Sequence, residues 1–239
     1  MKLPDTFDLL QKFERCTSED EVTRVTLDAA AEYGVEHYLS GTMPHPGSSP
    51  SEQMNHIIGG YWPEGWARRY FQKNYIDRDP TIDHVRNSSA VLVWNGIQPS
   101  SKDEKKVMHE AGDFGLIEGI TVPQHSLDGL KIGISFAGRH MDTSNPFAKT
   151  ALTVIGSYAV ATTMRARRRN QGEKLVALTP REREVLYWIA EGKTGHEIGV
   201  ILTLANATVE KHFRGLMSKL GAQNRAHAVA EAIRRGIIH

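Results

Sequence analysis

The chain of 239 residues reads as an α+β domain followed by a small all-α domain. Three observations predict this. Apolar or alternating runs bounded by glycine, proline and polar turn residues give about five strands, with helical patterns around them, as in an antiparallel sheet with grouped helices. The stretch RARRRNQGEK (165–174) is charged and almost without apolar residues, which breaks the pattern. Beyond it come four helical patterns and no strand. The expected boundaries are 1–165 for the first domain, 166–175 for a linker and 176–239 for the second.

Within the first domain, a helix ends near Cys16, and Ser18-Glu19-Asp20-Glu21 has the form of a capping box ahead of Val22, Val25 and Ala29. Gly34 is placed to end that second helix. VEHYLSGTM (35–43) reads as a strand, SSPSEQMN (48–55) as a polar loop, and HIIGGYW (56–62) as a short strand. Pro63 opens a helix that sets Trp66 and Tyr70 four residues apart on one face. AVLVW (90–94) is a third strand, and Ser101-Lys102-Asp103-Glu104 opens a helix running towards Gly115. GITVP (119–123) and LKIGISFAG (130–138) flank Leu127-Asp128-Gly129, an Asp-Gly signal for an antiparallel hairpin. Asn145-Pro146 starts a long helix with Ala151, Val154, Ile155, Tyr158 and Ala159 on one side.

The second domain is punctuated by caps. Thr179-Pro180-Arg181-Glu182 supplies an N-cap, a first-turn proline and a capping glutamate to a helix that buries Val185, Leu186 and Ile189 and stops at Gly192. Thr194-Gly195-His196-Glu197 is another capping box, opening a helix with Ile198, Ile201 and Leu202. After a short break, TLAN, a third helix buries Val209, Phe213, Leu216, Met217 and Leu220 and ends at Gly221. Asn224 caps a fourth helix with Val229, Ala230 and Ile233 inside, ended by Gly236. Two of these helices joined by a tight turn form a helix-turn-helix, whose second member lies in the DNA major groove. The face carrying Thr208, Lys211 and Arg214 would then meet DNA: Lys211 suits a phosphate, Arg214 a phosphate or a guanine edge. The alternative is a helical interaction module whose basic face is only hydrated.

Charge supports the first reading. Residues 1–164 hold 15 Lys and Arg against 21 Asp and Glu, and residues 165–239 hold 14 against 7, so a polyanion partner belongs to the tail. An apolar fraction of 40% with 24% charged residues suits folded, soluble domains. No run nears the ~20 apolar residues of a membrane span, and the N-terminus carries acids where a secretion signal would be apolar, so the expected compartment is the cytoplasm, with no membrane partner. The single Cys16 excludes an intrachain disulfide and reads as a small buried hydrophobe. His37, His45, His56, His84, His109, His125 and His140 lack metal-ligand spacing, and Gly59-Gly60 is too short for a phosphate loop. No catalytic residue, metal or cofactor is expected.

Residues 178–238 closely resemble the DNA-binding domain of LuxR-type transcription regulators. The marks are Glu182, Leu186, Gly192, Glu197-Ile198, Thr208-Val209, His212 and Lys219-Leu220-Gly221. Ala205 stands where the family often has a capping serine, and Asn206 is the replacement cap expected here. Glu210 is an acid on a helix that approaches phosphates; it either points to solvent or accepts from a cytosine amino group. The candidate DNA contacts are Thr194, Asn206, Thr208, Lys211 and Arg214.

In the first domain, Trp62, Trp66, Tyr70, Asp79 and Trp94 combine large apolar surfaces with a few polar handles and one acceptor, suited to a small amide with an apolar body. The competing reading is an ordinary aromatic core with Asp79 capping the helix at DPTIDHV. The order Trp66, Tyr70, Asp79-Pro80, Trp94, Gly119 is similar to that of the LuxR-type quorum-sensing receptors. That resemblance implies a five-stranded antiparallel sheet with helices on both sides, an α/β/α sandwich, that binds an N-acyl-homoserine lactone. It implies that Asp79 accepts from the ligand amide and Trp66 donates to the lactone carbonyl. Tyr70 and Ser135 would hold the acyl carbonyl, Trp94 would line the lactone end and Trp62 the acyl path, while Gly119 serves backbone packing. It further implies a homodimer on a palindromic double-stranded promoter site, with contact to RNA polymerase as a family expectation. The long helix from Pro146 to Arg168 is the candidate for much of the dimer contact. The alternatives are a regulator that answers another small molecule or none, and an enzyme that turns over an amide or lactone.

Overall fold

In the computed structural model, which describes residues 3–125, 130–170, 177–235 and 237–238, five strands form one antiparallel sheet. They are β1 (His37–Thr42), β2 (Ile57–Tyr61), β3 (Leu92–Val93), β4 (Glu118–His125) and β5 (Lys131–Gly138), in the order β2-β1-β5-β4-β3. The Asp-Gly turn at 127–129 and Gly236 lie outside the described residues.

Strand period sorts the residues of the sheet into two faces. Tyr38, Ile58, Ile120, Val122, Ile132, Ile134 and Phe136 face one core, together with α1 (Leu3–Arg15), α2 (Glu19–Ala30) and α7 (Pro146–Asn170). Their alternates, Leu39, Gly41, Thr121, Gly133, Ser135 and Ala137, face the other side. That side is covered by α3 (Pro50–Asn55), α4 (Glu64–Gln72), α5 (Pro80–Asn87) and α6 (Lys102–Gly112). Leu39 apart, the second face is built from small and polar residues, where the first is built from isoleucine, valine, tyrosine and phenylalanine. A helix layer resting on it leaves room between.

Four local readings are corrected. The stretch 48–55 is not simply a loop: Ser49 and Glu52 form a complete capping box, Pro50 takes the first turn, and α3 follows. The third strand is only Leu92–Val93, and Trp94 belongs to the 3₁₀ turn after it. At Ser18 the box is divided, because Ser18 Oγ caps Glu21 N–H while Glu21 reaches past it to Thr17 N–H at 2.7 Å. The long helix, expected to reach Arg168, continues to Asn170 and so takes up the first residues of the stretch 166–175 expected as linker. Its arginines are held by acids of the first helices: Arg165 pairs with Glu14 at 2.9 Å, and Arg167 grips Glu19 through two bonds of 2.8 Å. A run that looks like linker by composition is thus partly helix.

The chain divides into two compact units, 1–171 and 172–239. The second holds α8 (Pro180–Ala190), α9 (Gly195–Leu202), α10 (Asn206–Leu220) and α11 (Arg225–Arg234) around Val185, Leu186, Ile198, Val209, Leu216 and Leu220. Two faces differ from the sequence reading. Ile201 is 42% exposed, and in α11 the buried residues are Ala228 and Ala232, with Ile233 41% exposed. Alanine carries the weaker apolar signal, so the eye falls on the larger Val229 and Ile233, which lie one residue further round.

Candidate functional site

Between the second face of the sheet and its helices lies a cavity of about 70 Å³, and Trp62, Tyr70, Asp79 and Ser135 line it. Asp79 does two things at once. Its Oδ1 caps α5, accepting from Thr81 N–H at 2.8 Å and Thr81 Oγ1 at 2.7 Å, while its Oδ2 accepts from the Tyr70 hydroxyl at 2.8 Å. The capping role and the cavity position coexist: Asp79 is the N-cap before Pro80 in the first turn, and it also lines the cavity. Burial pushes the Asp79 carboxyl above its ordinary value of 3.8, against the bonds from Thr81 and Tyr70 that pull it down. The Tyr70 hydroxyl is raised well above 10.0 by burial and by the neighbouring Asp79 charge, so it stays protonated.

That bond uses the one hydroxyl hydrogen of Tyr70, so in this arrangement Tyr70 offers a ligand only an acceptor. Ser135 is different. Trp94 Nε1 donates to Thr121 Oγ1 at 2.9 Å, and Thr121 Oγ1 shares a bond of 3.0 Å with Ser135 Oγ. When Thr121 spends its hydrogen on Ser135, the Ser135 hydrogen is left for the cavity. Thr121, 1% exposed and a cavity residue, completes this relay; it stands two residues after Gly119 and opposite Ser135 in the β4–β5 register, a pairing that no local sequence pattern announces.

Two candidates stand one layer back. Trp94 is buried and reaches the cavity only through Thr121. Its ring lies on Gly119, where an added Cβ would stand 2.4 Å from Trp94 Cδ2, so no larger residue fits beneath the indole. Trp66, 2% exposed, packs with its ring centroid 6.2 Å from Trp62 and 5.6 Å from Tyr70. Among the described residues its indole N–H has no hydrogen-bond partner. The remaining wall includes Met43, Gln53, His56, Phe71, Ile82 and Val85, drawn in part from the segment 42–56 whose placement the sequence leaves open.

In the second unit, Thr194 and Thr203 bracket α9, and Leu204 N–H returns to the Gly199 carbonyl at 2.8 Å to make the turn into α10. Helix α10 begins with Ala205 at the N-cap and no side-chain cap bond, so Asn206 is its first helical residue and not its cap. Thr194, Asn206, Lys211 and Arg214 are exposed and Thr208 is half-buried. Among the described residues nothing pairs with Lys211 or Arg214. Glu210, its side chain 41% exposed, reaches solvent as one reading expects but is also held by α11: it accepts from Arg225 Nη2 at 2.8 Å, and Arg225 lies over the Phe213 ring at 5.1 Å, tying α10 to α11. Glu182 is held similarly at the base of α8. Burial raises its carboxyl, but bonds from Lys219 at 2.6 Å and from Thr179 outweigh that and leave it below 4.5.

Residues 18–166 match the autoinducer binding domain family, and residues 176–232 match the bacterial regulatory proteins of the luxR family. The chain belongs to the LuxR family of transcription regulators. It is 36% identical over 220 residues to the transcriptional activator protein BjaR1 of Bradyrhizobium diazoefficiens, covering 89% of this chain and 88% of that protein. The quorum sensing-dependent transcriptional regulator RpaR of Rhodopseudomonas palustris is 38% identical over 212 residues, covering 87% of this chain and 84% of that protein. In fold it is similar to Escherichia coli SdiA, with a TM-score of 0.70 at 24% identity over 97% of both chains. This LuxR-type quorum-sensing regulator thus joins an autoinducer-binding unit to a helix-turn-helix unit, and α10 is the second helix of that motif. Its family comprises transcription regulators rather than enzymes. Among the described residues no three His, Cys, Asp or Glu side chains converge to hold a metal ion, and no helix is long and apolar enough to cross a membrane.

Proposed function

We propose that the first unit binds an N-acyl-homoserine lactone and that the protein, as a cytoplasmic homodimer, binds a palindromic promoter site through α10. The observation that carries the ligand reading is Asp79. A carboxylate holds about four lone-pair sites, and the three bonds from Thr81 and Tyr70 leave a site for an amide N–H. Ser135, backed by Thr121 and Trp94, gives its hydrogen to the acyl carbonyl. Tyr70 positions Asp79 and closes the wall, in place of sharing the acyl carbonyl. Trp66, behind Trp62 and Tyr70, keeps an unspent N–H for the lactone carbonyl, which it meets when the ligand parts those two rings, with Trp62 packed across the acyl path.

For DNA, Lys211 and Arg214 supply exposed charge without a competing acid, since Glu210 is neutralised by Arg225. Asn206, Thr208 and Thr194 line the same helix-turn-helix surface and suit phosphate or base-edge hydrogen bonds. Two-fold symmetry sets the half-sites about one helical turn, roughly 34 Å, apart. Contact with RNA polymerase follows if the protein activates transcription.

The test is expression of the protein with an extract of spent medium from the organism that encodes it, followed by mass spectrometry of whatever copurifies. A homoserine-lactone fragment ion is the expected result. Soluble protein that binds DNA and carries no lactone moves the assignment to a regulator of another ligand or none, and conversion of added lactone to a product would make it an enzyme.

A further inference from the structure

Gln53 is the part of the cavity wall that amide and lactone chemistry leaves unused. It projects from α3, is 1% exposed, and lines the same cavity as Asp79 and Ser135. Both hydrogens of its amide are taken. Nε2 donates to the Ser48 carbonyl at 2.8 Å and to Asn74 Oδ1, and Asn74 is fixed in turn because its Nδ2 donates to Asp77 Oδ2 at 2.9 Å. A flipped Gln53 would set oxygen against two oxygens, so the network admits one orientation. Oε1 is the atom left over, buried and, among the described residues, without a hydrogen-bond partner. The capping box of Ser49 and Glu52 and the first-turn Pro50 hold α3 against turning to relieve it.

Helix α3 meets the sheet at Thr42, away from Ser135. Leu39 pairs with Ser135 and Thr42 with Ile132, three residues along the strands, about 10 Å at strand rise. Thr42 Oγ1 bonds His56 Nδ1 at 2.7 Å, and His56 is the C-cap of α3. With an amide at Asp79 and an acyl carbonyl at Ser135, the acyl group runs towards α3. A plain hydrocarbon seated there would keep the Gln53 carbonyl dry and unpaired, which is penalised, whereas a hydroxyl would satisfy it.

We propose that Gln53 reads the acyl group, and that the acyl group carries a distal hydroxyl whose hydrogen bonds Gln53 Oε1. This rests on the lactone reading above. Sites with a buried polar group built for a hydroxyl reject the analogue that lacks it far better than apolar pockets reject a misfit. The full-length protein is expressed with equal amounts of matched lactone pairs: butanoyl, hexanoyl, octanoyl and phenylpropanoyl, each with and without a terminal or para hydroxyl. The retained lactone is then quantified. The expected result is retention of the hydroxylated member over its partner by roughly tenfold in the pair whose length reaches Gln53. Gln53→Leu should abolish or invert that preference while still retaining the plain member. If Gln53→Leu does not fold, the wild-type ratio decides alone, and Gln53→Met repeats the variant with an unbranched side chain. Equal retention, or preference for the plain member in every pair, overturns the proposal and leaves lactone binding standing. Soluble protein that retains neither member of any pair overturns the lactone reading and this proposal with it.

Discussion

Asp79 concentrates the chemistry of the first unit in one side chain. It caps a helix, anchors a tyrosine and faces a cavity, and burial keeps its carboxyl above the ordinary 3.8 despite three hydrogen bonds. A carboxyl that is easier to protonate in the folded state contributes stability that is full below the unfolded value and is lost as pH rises through the folded one. Asp79→Asn has no such titration. The unfolding free energy of the ligand-free wild type, minus that of Asp79→Asn, should therefore fall between pH 3.8 and the raised folded value, then level off towards neutrality. Denaturant unfolding across a pH series reads this directly, and a difference that climbs with pH would mean that the ionised form is the favoured one. Asp79→Ala, by contrast, is expected to weaken lactone binding by about 1.5 to 3 kcal/mol, the scale of a hydrogen bond to a charged group. Calorimetric titration with unchanged affinity would remove Asp79 from the site.

At the scale of elements, what was legible is what has a strong local signal. The box Thr179-Pro180-Arg181-Glu182 and the box Ser49-Pro50-Ser51-Glu52 have the same form, and both close in the structure. Only the first reads as a helix from sequence, because Val185, Leu186 and Ile189 follow it with helical period, whereas six-residue α3 is too short to show one. The same shortness hides Gln53. The aromatic cluster was legible from spacing, but the relay from Trp94 through Thr121 to Ser135 depends on a strand register that no local pattern carries. Gly119 tests this relay. An alanine there must push the Trp94 ring off Thr121, so Gly119→Ala should cost about 1 to 3 kcal/mol in stability and alter tryptophan fluorescence. Wild-type stability would mean that the ring has another seat. Helix α7 tests assembly: Phe147 and Tyr158 are 72% and 40% exposed on it. Tyr158→Glu should shift sedimentation towards the monomer, and an intact dimer would place the interface elsewhere.

At the scale of the whole molecule, two units that share no buried residue permit two separable functions. Val185, Leu186, Val209 and Leu216 are buried among themselves, and none of them belongs to the layers around the cavity. The charge is divided in the same way, with 14 basic against 7 acidic residues over 165–239 and the excess reversed before it. Most of the basic surplus is spent on solvent or on structure, since Arg165 and Arg167 are tied to Glu14 and Glu19, Arg225 to Glu210, and Lys219 to Glu182. Lys211 and Arg214 are the pair on α10 that structure does not consume. Arg214→Ala therefore removes a phosphate or guanine contact without removing packing, and its effect should be confined to DNA. Operator affinity is expected to fall by about 1 to 3 kcal/mol, and, for a phosphate contact, the slope of log affinity against log salt to shrink by about 1 per protomer. Lactone retention and unfolding midpoint should match wild type in the same preparation. Unchanged operator affinity at every salt concentration would take Arg214 off the interface, and lost lactone retention would mean that the two units are coupled through this helix.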